Sequence, residues 1–240
     1  MSYYIKSLIK ISIGCMPGFY EDEFEVLIDD NTKVAYIGLS KCANSAIKNC
    51  ILAIYSDDKL YGGLSVHHID IKKINKNLEI FNTRSVTKMV KKLDGYATFT
   101  ICRNPYERLI SCWVDHINSK NIMFCRSPII RKLMGFDSKN ISLSDFVKAV
   151  GRVPDSYSDR HFRSQTSSTF TLSGKPIADV VLHMEGMSDM WNNTELLSPY
   201  PSPKKVNVNK YDGEILLTDE LKEIIYSRYE NDFINFGYHK

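Results

Sequence analysis

The chain has 240 residues, a net charge of +3 and 43% hydrophobic residues, enough to bury a sizeable core without disulfide staples and too apolar for wholesale disorder. Its 25% charged and 11% aromatic residues are ordinary for a folded enzyme, and 12 Gly with 8 Pro are too few for a linker or fibrous protein. The slight basic excess suits an anionic ligand but does not by itself imply nucleic acid.

At the start, YYIKSLIKISIGC loosely imitates a secretion signal, but Lys6 and Lys10 interrupt a run that is already short. No stretch of about 18 apolar residues occurs, so no spanning helix is predicted and a cytoplasmic enzyme is expected. Residues 21–30, EDEFEVLIDD, read as an acidic segment. VAYIGLS (34–40) is an apolar run of strand length, followed by the polar break KCANS; Ile47, Ile51, Ile54 and Tyr55 then recur at helical spacing. The first unit is strand, tight loop, helix. Residues 71–93 carry seven basic residues (Lys72, Lys73, Lys76, Arg84, Lys88, Lys91, Lys92) against Glu79 alone. They read as a solvated helix face or as a positive rim beside an anionic ligand.

YATFTIC (96–102) suggests a second buried strand that stops at Arg103. Asn104-Pro105-Tyr106-Glu107 is a helix start, with Asn104 as cap, Pro105 at the first helical position and Glu107 placed for a capping box. SLSDFVKAVG (142–151) is a short amphipathic helix with Gly151 as its stop. The long loop after it contains DRHFRSQTSS, and long loops in compact domains are often functional. ADVVLHME (178–185) reads as a third buried strand, 198–213 as a loop, and Thr218-Asp-Glu as the opening of a final helix lined by Leu221, Ile224, Ile225, Tyr229, Phe233 and Phe236. Buried strands alternating with helices predict an α/β fold, a three-layer parallel sheet flanked by helices, with ligands at the carboxyl ends of the strands. The six cysteines (Cys15, Cys42, Cys50, Cys102, Cys112, Cys125) form no C-x-x-C pair and read as reduced thiols packed as small hydrophobes; no metal site is predicted.

Two segments carry chemistry. Lys41 to Ala46 leaves a strand and opens a helix, so backbone N–H groups, the positive helix end, the Lys41 charge and the Ser45 hydroxyl could together hold a phosphate or sulfate. It is not the nucleotide-triphosphatase loop, since no glycine lies in 41–46 and the lysine precedes the loop. In the second segment Arg103 ends a strand at the presumed ligand edge, and Asn104, Arg108, Ser111 and Asp115 recur at helical spacing as one polar face. Arg103 and Ser111 would grip one anionic group by charge and hydroxyl.

Together these segments resemble the carbohydrate sulfotransferase family, the membrane-type chondroitin and dermatan sulfotransferases with their bacterial relatives. A P-K-x-x-x-[TS]-S loop is matched by Ser40-Lys41-Cys42-Ala43-Asn44-Ser45-Ala46, and R-[ED]-P-[FY]-x-R-L-x-S-x-[YW] by Arg103 to Trp113. His161-Phe162-Arg163-Ser164-Gln165, Glu185 and Tyr229 to Tyr238 also agree, so the resemblance spans roughly 33–238. Ser40, Asn44 and Ala46 depart from the residues the family prefers. The resemblance implies a P-loop nucleotide-hydrolase-like sulfotransferase fold in one domain over 1–240, with a donor-binding core at about 33–120, acceptor-side loops at about 121–175 and a closing strand and helix at 176–240.

It further implies a sulfotransferase of EC 2.8.2 type. The enzyme would move a sulfuryl group from 3′-phosphoadenosine 5′-phosphosulfate (PAPS) to a hydroxyl acceptor of the saccharide or glycan class, without nucleic acid or a membrane span. Lys41, Cys42, Ala43, Asn44, Ser45, Ala46, Arg103 and Ser111 would bind the donor, and Lys41 would stabilise charge on the leaving oxygen. A general base is needed. His68 is favoured over His67, His161 is the rival, and Glu185 is a carboxylate alternative, whereas His116 and His183 read as structural. Residues 71–93, Lys204-Lys205, Asn207 and Asn209 are expected near the cofactor or an acidic saccharide. A nucleotide-dependent phosphoryl-transfer enzyme, or a non-catalytic module for an anionic saccharide or nucleotide, are the alternatives.

Overall fold

The computed structural model describes residues 24–56, 70–118, 141–155, 158–203 and 215–240. They fall into two compact units. One holds 24–103 and the segment from Ser168; the other holds 104–167 and the C-terminal residues.

The first unit is built on a five-stranded sheet: β1 (Phe24–Asp29), β2 (Val34–Gly38), β3 (Leu78–Thr83), β4 (Ala97–Cys102) and β5 (Val180–His183), in the order β3-β1-β2-β4-β5. The strands predicted at 34–40, 96–102 and 178–185 are β2, β4 and β5, and they pair in parallel, with Ile37 beside Thr100 and Cys102 beside His183. The all-parallel expectation is corrected by β1 and β3. The acidic segment 21–30 contains β1, and the basic stretch 71–93 contains β3. β1 pairs antiparallel with both β2 and β3. The turn between Asp29 and Val34 is too short for a crossover, so β1 and β2 must form a hairpin. Lys33 completes it at φ 57°, a left-handed conformation unusual outside glycine.

Period-two alternation sends side chains to two faces. Leu27, Tyr36, Phe99 and Leu182 face the first described helix, α1 (Asn44–Ala53), and pack with its Ile47 and Ile51 and with Trp191. Ile54, assigned to that apolar face, lies past the helix end and is exposed. Val26, Ile28, Ala35 and Ile37 form the opposite face, with Met89 and Leu93. Burying each large side chain contributes roughly 1.5–3 kcal/mol. Helices thus cover both faces: after α1 come α2 (Ile71–Ile74) and α3 (Val86–Lys92), which carries Met89.

The second unit packs α4 (Pro105–Asn118), α5 (Leu143–Gly151) and a long C-terminal helix, Asp219–Asn235, around Leu109, Trp113, Phe146, Val150, Phe162, Ile225, Tyr229 and Phe233. Two short helices fall between them in the chain, α6 (Thr166–Thr169) and α7 (Met187–Asn192), so the last helix is α8. Asn104 Oδ1 accepts from Tyr106 N at 2.9 Å, the cap read from the sequence. Ser142 caps α5 and Thr218 caps α8. α5 does end at Gly151, but as its last helical residue rather than as a left-handed cap, and a Cβ there would lie 2.6 Å from Ile224 Cγ2. Among the described residues no helix is long and apolar enough to cross a membrane.

Candidate functional site

β2 delivers the chain to the carboxyl edge of the sheet at Gly38, and the next five residues turn sharply into α1. Cys42 N donates to Leu39 O at 3.3 Å, and Ile47 N donates the first helical bond to Ala43 O at 3.1 Å. Lys41 and Ala43 both sit in the left-handed region, at φ 67° and 58°. Non-glycine residues there cost of order 1–3 kcal/mol each, and such strain concentrates at ligand sites. The cap residue of α1 is Ala43, which has no side-chain acceptor to lay over the helix start, and the first turn carries no acid. A helix start with no side chain laid over it is the polarity that an anion requires.

β4 ends beside this loop. Arg103, the next residue, sends Nη1 to the carbonyl oxygen of Lys41 at 3.4 Å. Two motifs 62 residues apart in sequence therefore meet at one sheet edge. Lys41, Ala43, Asn44, Ser45 and Arg103 are half-buried, while Cys42 and Ala46 are buried. Cys42 Sγ is held against Ser40 O at 3.6 Å, so it contributes backbone rather than thiol to the edge. Cys42, Cys50, Cys102 and Cys112 are buried and carry no disulfide, whereas Cys15 and Cys125 lie outside the described residues.

A polar pair behind the loop, half-buried Glu25 with buried Lys48, was not read from the sequence. Glu25 of β1 lies opposite Gly38, accepts from Asn44 Nδ2 at 3.1 Å, and forms an ion pair with Lys48, whose side chain is 1% exposed. The available signal was a lysine four residues after Asn44, set among the core residues Ile47, Cys50 and Ile51. Burial pushes the nearby Tyr36 hydroxyl well above its ordinary value, with Cys42 and Glu25 adding to the shift.

The helical unit holds the other predicted residues. Ser111 is half-buried on α4. Arg108, read as part of the same polar face, is instead 3% exposed. Its Nη1 donates to Arg163 O at 2.7 Å and its Nη2 to Arg160 O at 3.2 Å, so it turns inward to hold the long loop. Tyr229 Oη donates to Phe162 O at 2.5 Å, and Asp232 accepts from Gln165 N at 2.8 Å and Thr166 N at 2.7 Å. Burial raises the Asp232 carboxyl above its usual range, although these amides oppose the shift. The Phe162–Gln165 and Tyr229–Asp232 motifs are thereby one structure: the final helix clamps the loop. Within that loop His161 Nδ1 lies 2.5 Å from Asp159 Oδ1, which also accepts from His161 N. A carboxylate on Nδ1 fixes the tautomer and directs Nε2 to any proton traffic.

His67, His68, Lys204-Lys205, Asn207 and Asn209 lie outside the described residues. His183 ends β5 with its amide donating to Met190 Sδ at 3.4 Å, and Glu185 is exposed in the turn just beyond. Among the described residues no group of three or more His, Cys, Asp or Glu is placed to hold a metal ion.

With this geometry in place, the comparisons with known proteins identify the class. The model of the sulfotransferase family matches residues 24–239, nearly the whole chain. The protein belongs to the sulfotransferase family, and its class of chemistry is sulfuryl transfer. Neither a curated protein nor a solved structure matches the chain.

Proposed function

We propose that the chain transfers a sulfuryl group from PAPS to the hydroxyl of an acceptor, most simply a saccharide, on a nucleotide-hydrolase-like core. The observation that carries this reading is the meeting of Lys41 and Arg103 at the carboxyl edge of β2 and β4. The loop 41–46 supplies a lysine and the start of α1 for one end of a doubly anionic nucleotide, and Arg103 supplies a guanidinium for the other. In the transfer, the bond from sulfur to the bridging oxygen breaks and a bond from sulfur to the acceptor oxygen forms. Lys41 stabilises the charge gathering on the bridging oxygen. The acceptor proton passes to a base, for which His161, held by Asp159, is the described histidine candidate and His67 and His68 the others. This reading takes Ser111 as a hydroxyl partner of the 3′-phosphate. Family membership favours sulfuryl over phosphoryl transfer.

Calorimetry with 3′-phosphoadenosine 5′-phosphate tests the donor assignment. Tight binding by the wild type should weaken at least tenfold, about 1.4 kcal/mol, in Arg103→Ala and in Ser111→Ala. Lys41→Ala should abolish turnover while acceptor binding persists. Equal nucleotide affinity in all three proteins would refute the assignment, and a wild type that binds without turnover would make the chain a binding module.

A further inference from the structure

The loop that meets Arg103 adopts two left-handed residues without a glycine at either, so something outside it must hold the turn. Besides Arg103 on the Lys41 carbonyl, the contacts beneath the loop supply such support. Asn44 is the first residue of α1, yet its carboxamide does not fold back over the helix start. It points the other way, and Nδ2 donates to Glu25 Oε1 at 3.1 Å. Asn44 Oδ1 is buried with no hydrogen-bond partner among the described residues, pressed against β2, where a Cβ on Gly38 would approach it to 2.8 Å. Gly38 is thus required by that side chain rather than by its own backbone angles. Lys48, one helical turn after Asn44 on the same side of α1, ion-pairs with the same Glu25 oxygen.

An anion loop with a carboxylate behind it would repel its ligand unless that charge were cancelled, and a half-buried carboxylate beside a buried ammonium costs folding energy unless the two are paired. Lys48 meets both demands. Its ammonium is buried and ion-pairs Glu25, so the two charges cancel and add no net charge behind the loop.

We propose that Glu25 is a positioning residue of the anion loop, acting through Asn44 on the left-handed turn at Ala43, with Lys48 as its counter-charge. The anion in this statement rests on the function proposed above; the positioning does not. Because Asn44 is turned toward Glu25, its carboxamide leaves the start of α1 open to a ligand.

Hydrogen exchange of the amides 41–46 in the intact chain, without ligand, decides the positioning claim. Glu25→Ala and Asn44→Ala should each speed exchange at 41–46 by about tenfold, and the double variant should be no faster than either single one, because both act through one bond. Glu25→Gln/Lys48→Met keeps the acceptor for Asn44, stays charge-balanced, and should exchange as the wild type does. Urea unfolding of each variant separates a local change at the loop from general loss of stability. Exchange at 41–46 that is unchanged in the single variants, that multiplies in the double, or that rises only in step with global unfolding overturns the proposal. Binding of 3′-phosphoadenosine 5′-phosphate is measured in parallel. It should fall about tenfold in Glu25→Ala and Asn44→Ala and hold in Glu25→Gln/Lys48→Met. A wild type that fails to bind the nucleotide while loop exchange responds as stated would sink the donor assignment and leave the positioning role standing.

Discussion

Asp155 shows what a single residue contributes to the long loop of the helical unit. It accepts from Arg228 Nη2 at 2.6 Å and from Ser164 N at 2.9 Å, and Ser164 Oγ donates to its other oxygen. Burial works against its charge, but Arg228 and the Ser164 donors outweigh it and hold the carboxyl below the usual value of 3.8. A depressed carboxylate stabilises the fold fully above its unfolded-state value, and that contribution disappears as pH falls through the lowered native value. Asp155→Asn should therefore be less stable than the wild type at pH 7, and the gap should close as pH drops below about 4. Urea unfolding at pH 7, 5 and 3 measures it, and a gap that stays constant over that range would rule out the charge as the cause. Residue chemistry of this kind was only partly legible. Lys41 and Arg103 stand at strand ends, where polarity breaks an apolar run, so their meeting could be read. Arg108 could not be placed, because its three-residue spacing to Ser111 suits a solvent face equally well. Its burial and its bonds to the carbonyls of Arg160 and Arg163, far off in sequence, show that it turns inward.

Elements are specified where burial is two-sided and blurred where it is not. β2 and β4 are central strands, and their near-continuous apolar runs announced them. β1 and β3 lie toward one side of the sheet. Glu25 and Asp29 of β1 serve polar networks, and β3 mixes Glu79 and Asn82 with its apolar residues, so charge masked the alternation. Gly151 was legible as glycine but not as to purpose. In α5 an alanine would gain up to about 1 kcal/mol of helix propensity. The contact with Ile224 Cγ2 reverses that sign, since overpacking costs about 1–3 kcal/mol. Gly151→Ala should destabilise the chain by about 1–2 kcal/mol, and Ile224→Leu, which deletes the offending γ2 methyl, should recover part of the loss. Denaturant midpoints of the two single variants and the double variant decide it. A stabilised Gly151→Ala would mean that α5 and α8 yield to the methyl at no cost.

At the scale of the whole molecule, each unit carries its own hydrophobic core, so stability gained from a ligand should appear first in the unit that binds it. Of the proposed nucleotide contacts, Lys41, the α1 start and Arg103 belong to the sheet unit and Ser111 to the helical unit, so most of the gain is expected in the sheet unit. At a hundredfold excess over Kd, a ligand that binds only the native state adds about 2.7 kcal/mol. For a chain of this size that corresponds to a rise of about 5–10 °C in Tm. 3′-Phosphoadenosine 5′-phosphate should therefore raise the wild-type midpoint by several degrees. Hydrogen-exchange protection should increase at 34–47 and 97–103, where β2, the loop and β4 converge. In Arg103→Ala both effects should shrink together, because one guanidinium supports both. Inorganic sulfate at the same concentration should give less, since it engages the loop without reaching the Arg103 end. A midpoint that rises equally with sulfate and with the nucleotide would show that the loop alone binds, and that Arg103 meets Lys41 for structural support and not to read a second phosphate.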